Sequence, residues 1–194
     1  MSVDLMLGHT PMLMLAGRAK GLLRNELAYV LATGLWETAW TMEPVIEAYW
    51  LSEEWRADNL DYYPWYGRGF VQLTWKENYE RADSKLGLGG SLLDNPDRAL
   101  EPFIAARVIV LGMQEGWFTG HQLGDYIDLQ HSDFEGARAI VNPTDHAEDI
   151  ARIAEDYDQA LQAVGYGEQW DVPIGRPLAV RVSRLEEWAA GYGV

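Results

Sequence analysis

Between positions 36 and 79 the chain gathers carboxylates, aromatics and amides in a pattern that suits carbohydrate chemistry. Four clusters carry it: Trp36-Glu37-Thr38-Ala39-Trp40, the run from Glu43 to Trp50, the run from Tyr62 to Tyr79, and Ala139-Ile140-Val141-Asn142. Sugar rings present apolar faces that stack on Trp and Tyr, and hydroxyls that pair with Asn, Gln and Arg. The sequence holds nine Trp and ten Tyr, many of them crowded between Trp36 and Tyr79. Two carboxylates among them supply the acid and base that cleavage of a glycosidic bond requires. An apolar surround would raise the pKa of one, so that it stays protonated near neutral pH. Taken singly, Glu37 reads as a solvated helix-edge carboxylate, Arg68 as an ion-pair partner and Gly67-x-Gly69 as a turn. Only their order and spacing together point to a site.

Glu37-Thr38-Ala39, followed by Tyr66-Gly67-Arg68-Gly69-x-x-Gln72-Leu73-Thr74-x-x-x-Asn78-Tyr79, resembles the signature of family 19 glycoside hydrolases, the plant-type chitinases and related phage endolysins. The likeness runs from about residue 25 to 165. Glu47-Ala48-Tyr49-Trp50 and Gly112-Met113-x-Glu115-Gly116-Trp117-Phe118-Thr119-Gly120 look more like the bacterial and phage branch.

That resemblance implies an all-α, lysozyme-like, two-lobed fold with a substrate cleft and at most a very small β element. It implies an inverting mechanism without cofactor or metal, for which the carboxyl groups stand about 6.5–9.5 Å apart. Glu37 matches the general acid. The base is one of Glu43, Glu47, Glu53 and Glu54, and the spacing of Glu47 best matches the phage branch. Thr74 matches the residue whose hydroxyl helps hold the attacking water. Gln72, Asn78 and Asn142 match sugar-binding positions, with Tyr66, Arg68 and Trp36 beside them. Three positions depart from the pattern. Trp36 stands where the family has His, and Glu77 where the plant enzymes have Tyr. The family's cleft arginine has Arg152 as its nearest candidate. The expected activity is a muramidase-type endolysin cutting β-1,4 bonds of peptidoglycan. A chitinase is the alternative, and a glycan-binding or phage structural protein with weakened catalysis is a further one.

The elements that must position these residues follow from periodicity. Asn25 to Trp40 reads as a helix with Leu27, Val30, Leu31, Gly34 and Leu35 on one stripe and Glu37 at its edge. Ser52 to Gly69 reads as a loop, Phe70 to Thr74 as a short strand or extended turn, and Trp75 to Leu86 as a helix. Asn95-Pro96-Asp97 starts a helix that runs to about Trp117. Phe134 to Val141 is a shorter one. Thr144 or Asp145 caps the next, with Ala147, Ile150, Ala151, Ala154, Tyr157, Leu161 and Val164 on its stripe and Gly165 as its stop. Pro177 opens a last helix through Trp188.

Bulk properties narrow the partners. The 194 residues suffice for one catalytic domain, 1–194, with no separate binding module expected. Cysteine is absent and the four histidines show no metal-ligand spacing, which leaves no thiolate chemistry. A net charge of −15 without a basic stripe argues against nucleic acid. The apolar run near Met6 to Ala16 is interrupted by Gly8 to Pro11 and followed, not preceded, by Arg18 and Lys20. It reads as neither signal peptide nor membrane span. The expectation is a monomer made in a host cytoplasm, reaching the wall after holin-dependent release.

Overall fold

The computed structural model describes residues 3–143 and 145–167; the helix expected from Pro177, and Thr144, lie outside the described residues. The fold is mainly α-helical, with one two-stranded sheet among the described residues. Two helices are buried on nearly every side. In α2 (Arg24–Glu37) every residue from Leu27 to Leu35 is buried, and in α6 (Pro102–Glu115) nine of the residues between Ile104 and Met113 are. A helix apolar all round belongs in the centre of a domain, and α6 packs against α1 (Thr10–Ala19), α2, α4 (Lys76–Leu86) and the sheet. On its other side α2 lies along α7 (Ala147–Ala163), which buries the stripe Ile150, Ile153, Ala154, Tyr157 and Leu161.

This geometry corrects the placement of Glu37. It does not sit at the edge of an apolar stripe. It is the last residue of a fully embedded helix, at the point where the helix comes out of the core. The helix also stops three residues short of Trp40. Ala39, Trp40 and Met42 have φ of 49°, 69° and 54°, in the left-handed region that side chains disfavour. The Thr38 hydroxyl donates to the Gly34 carbonyl (2.7 Å) and accepts from the Met42 N–H (3.0 Å), which secures this tight exit.

Several boundaries differ from the expected ones for local reasons. Asn95-Pro96 opens only a 3-10 turn, Pro96–Leu100, and α6 begins at a second proline, Pro102. The expected helix at Phe134–Val141 is a 3-10 turn over Gly136–Ile140. Asp145 does not cap α7; that position belongs to His146, with φ 54°. Three helices were not expected. The N-terminal run folds as α1, burying Met12 and Leu13. The loop read at Ser52–Gly69 contains α3 (Glu53–Asn59), whose N-cap Ser52 accepts from the Trp55 N–H at 3.1 Å. The Gly-rich stretch 88–95, which reads as a linker between elements, contains a single turn, α5 (Ser91–Asp94). The buried Asp83 carboxylate accepts from the N–H groups of Gly90 (2.7 Å) and Leu92 (2.9 Å) there.

The sheet matters most for the site. β1 (Val45–Ile46) pairs antiparallel with β2 (Arg68–Gly69), Val45 opposite Gly69 and Ile46 opposite Arg68. The strand thus lies just before the expected Phe70–Thr74. Those residues take the turn alternative, and Arg68 and Leu73 exchange both backbone hydrogen bonds (3.2 and 2.9 Å).

Candidate functional site

At the exit of α2, Glu37 meets a cation rather than an apolar wall. Arg138 Nη1 donates to Glu37 Oε1 at 3.0 Å. The Arg138 side chain is only 4 % exposed, against 21 % for that of Glu37. Two further bonds fix it from the far side, to the Asp145 carbonyl (3.0 Å) and the Asp145 carboxylate (2.8 Å). The Arg138 hydrogen bond holds the Asp145 carboxyl below the ordinary carboxylate range. Burial works against the Arg138 charge, but the bonds to Asp145 and Glu37 outweigh it and raise its pKa. The expected Arg152 is elsewhere: it is largely exposed and pairs with Asp149. Its place beside the acid candidate is taken by Arg138, whose only signal in the sequence is a charge set inside the apolar run Ala137–Val141. Asn142 hangs on the same turn, its N–H donating to the Arg138 carbonyl at 3.0 Å.

Glu47 follows β1 directly and is anchored independently. Its backbone N–H donates to the Gly67 carbonyl (2.8 Å), and its carboxylate accepts from the Gly67 N–H (2.7 Å) and the Tyr62 hydroxyl (2.7 Å). Burial and the neighbouring Glu47 push the Tyr62 hydroxyl up to about 12, so it remains a donor. Of the other glutamates once open as a base, Glu43 lies 2.9 Å from His9 Nδ1. Glu53 accepts from Tyr66 (2.9 Å) and Arg56 (3.1 Å). Burial pushes Glu53 up, yet the bonds from Tyr66, Arg56 and Tyr63 prevail and lower it. Glu54 is exposed in the first turn of α3.

The Tyr66–Tyr79 motif turns out to bind mostly to itself. Tyr66 and Arg68 are buried, at 1 % and 3 % exposure, which removes them from the expected sugar contacts. The Arg68 guanidinium lies 3.7 Å from the centre of the Tyr66 ring and bonds Asp97 (2.8 Å), the Pro64 carbonyl (2.9 Å) and the Tyr79 hydroxyl (3.0 Å). Gly67 lies close to the Gln72 side chain: a Cβ there would lie 2.6 Å from Gln72 Oε1, so that side chain would have to move. The Gln72 amide donates to the Val45 carbonyl (3.2 Å), tying the turn to β1. The Thr74 hydroxyl donates to the Gln72 carbonyl (2.7 Å), and the Asn78 amide to the Thr74 carbonyl (2.9 Å). Thr74 therefore keeps oxygen lone pairs available beside the loop that anchors Glu47.

Aromatic rings flank both anchored carboxylates. Trp36 packs its ring 4.6 Å from His146 and 6.4 Å from Trp40. Tyr62, the Glu47 donor, stacks obliquely on the exposed Trp75 at 4.8 Å. An open groove of about 390 Å³ adjoins Arg138's partner, lined by Glu135, Pro143, Asp145 and His146 among others. Among the described residues no helix is long and apolar enough to cross a membrane.

These features define a mainly helical protein with two carboxylates anchored on separate elements amid aromatic rings. No family model matches the chain. Over 54 residues, 27 % of the chain, it is 46 % identical to acidic endochitinase pcht28 of Solanum chilense, of which the match covers 21 %. Over 47 residues, 24 % of the chain, it is 45 % identical to the acidic 26 kDa endochitinase of Solanum lycopersicum, of which the match covers 19 %. The chain thus spans about a fifth of the length of these curated relatives.

Proposed function

We propose that the chain is a glycoside hydrolase acting on β-1,4-linked N-acetylhexosamine polymers by single displacement, with bacterial peptidoglycan as its substrate. The observation that carries this reading is the separate anchoring of Glu37 and Glu47. One carboxylate rests on a buried arginine at a helix end, the other on a backbone N–H and a tyrosine hydroxyl of the sheet loop. Glu37 protonates the leaving glycosidic oxygen, and Arg138 then stabilises the carboxylate it leaves behind. Glu47 takes a proton from water as that water attacks the anomeric carbon from the opposite face, with the Thr74 hydroxyl as second acceptor. The glycosidic bond breaks, one C–O bond forms to water, and the anomeric configuration inverts.

Peptidoglycan is preferred because the Glu47–Trp50 run resembles the phage branch. The chitinase reading has its own support, since both similar proteins are named endochitinases. Parallel digestion of purified sacculi and of chitin, with analysis of the new reducing ends, separates them. New muramic acid ends are expected from sacculi. Ends from chitin alone would move the substrate to chitin. NMR of a short β-linked oligomer should show the α-anomer first; β-anomer first would overturn the single-displacement scheme.

A further inference from the structure

Tyr49 and Trp50 are the most exposed aromatic side chains among the described residues, at 71 % each. They stand edge to face with ring centres 5.1 Å apart. Exposed apolar side chains scattered singly need no explanation, but a fixed pair does. The turn beneath this pair is built to stay in place. Arg56, 7 % exposed, sends Nη1 to the carbonyls of Ala48 (3.0 Å) and Leu51 (2.9 Å), the residues on either side of the pair. Its Nε is held by Glu53, which also accepts from the buried Tyr66. Ala48 itself has φ 49°, a conformation an alanine adopts only when its surroundings impose it. The turn begins one residue after Glu47, whose own carboxylate is locked to Gly67 and Tyr62. The backbone that carries the rings is therefore held in place relative to Glu47.

We infer that Tyr49 and Trp50 form an outlying subsite that stacks on pyranose rings of the polymer, taking β-1,4-linked N-acetylhexosamine units next to those processed at Glu47. This rests on the function proposed above. Both side chains combine a flat apolar face with a polar edge, the phenol O–H and the indole N–H, which suits a sugar better than a purely apolar partner. The net charge of −15 opposes a membrane of anionic lipid. Neither ring contributes to the core cluster, so truncating them leaves the fold undisturbed.

The test uses the full chain carrying Glu37→Gln, so that polymer is not consumed, and co-sedimentation with insoluble chitin and with purified sacculi. Adding Tyr49→Ala and Trp50→Ala should weaken binding to the cleaved polymer by about tenfold or more, as loss of a central aromatic anchor does. Trp50→Phe should restore part of it, and thermal melting should not move. Equal binding by the parent and the double variant overturns the subsite while leaving the proposed function, which hydrolysis by the unsubstituted chain tests separately. A parent that binds neither polymer overturns both. If the double substitution instead abolishes self-association or adhesion to phosphatidylglycerol vesicles, with polymer binding intact, the pair is a protein or lipid contact and the subsite is refuted.

Discussion

Replacing Arg138 by lysine would separate charge from geometry at the acid. The guanidinium makes three bonds in two directions, to Glu37 Oε1, the Asp145 carbonyl and the Asp145 carboxylate. A lysine ammonium keeps the positive charge but is a compact point donor on a flexible stem, without the rigid fork that spans both partners. It can therefore serve one carboxylate well and the other poorly. Removing a partner from a fully buried ion pair costs about 3–5 kcal/mol. Glu37 and Asp145 are 21 % and 46 % exposed and can recruit water, so the expected loss of stability is smaller, about 1–2 kcal/mol. Misplacement of a reacting group by about 1 Å costs on the order of 10²-fold in rate. Arg138→Lys should thus lower kcat on soluble oligomers by about 10–100-fold with KM little changed, and lower Tm by a few degrees.

A double-mutant cycle makes the reasoning strict. Asp145→Asn loosens the same guanidinium from the other side, so its effect on kcat should be strongly non-additive with that of Arg138→Lys. Wild-type kcat in Arg138→Lys, or simple additivity with Asp145→Asn, would refute the claim that Arg138 positions Glu37 and would leave it a purely structural ion-pair partner.

Other outcomes follow from the same geometry. Glu37→Gln and Glu47→Gln should each cut turnover by about 10²–10⁴-fold while Tm falls by no more than a few degrees, because an amide neither donates nor accepts the required proton yet keeps the shape of the side chain; an active variant would move the role to another carboxylate, Glu43 first for the base. Thr74→Ser should keep most activity and Thr74→Val should lose kcat with KM unchanged, whereas equal turnover in both would reduce Thr74 to a tie on the Gln72 carbonyl. Burial pushes the Tyr79, Tyr157 and Tyr166 hydroxyls up to about 12, while an unfolded tyrosine ionises near 10. The folded pKa is raised, so this stability is full below about pH 10 and is lost as pH rises from there through about 12; urea midpoints that stay flat across that window would contradict it.

The parts that were legible in the sequence are those whose signals are local. The second, fourth and seventh helices show periodic apolar residues and appear within a few residues of their expected bounds; the sixth has its expected apolar face and end but starts at Pro102 instead of Pro96. The first helix was obscured because Gly8 to Pro11 read as an interruption, although Pro in a first helical turn is well tolerated. The third was hidden in an aromatic, polar stretch, with Ser52 as its one cue. The shortened turn at Phe134–Val141 carries Arg138, whose guanidinium reaches Glu37 and Asp145. Arg138 stayed invisible as a site residue because its partner lies 101 positions away, and no spacing rule reaches that far.

The Tyr66–Tyr79 motif shows why a readable string does not announce the role of each letter. Its residues suggest sugar contacts because tyrosine, arginine, glutamine and asparagine are what a sugar site uses. In the structure most of those groups are already engaged within the protein. Tyr66 and Arg68 stack on each other in the interior, Gln72 reaches the Val45 carbonyl, and Asn78 closes on Thr74. What the motif delivers outward is the Gly67 N–H on Glu47, the Thr74 hydroxyl and the exposed Trp75 beside Tyr62. Gly67 is therefore coupled to the Gln72 side chain as well as to Glu47. A methyl group there would press against the Gln72 amide at 2.6 Å, and relief would require moving either the tie to β1 or the N–H that holds Glu47. The chemistry of the carboxylate and the packing of the loop are one constraint, and the order of residues in the motif follows from satisfying both.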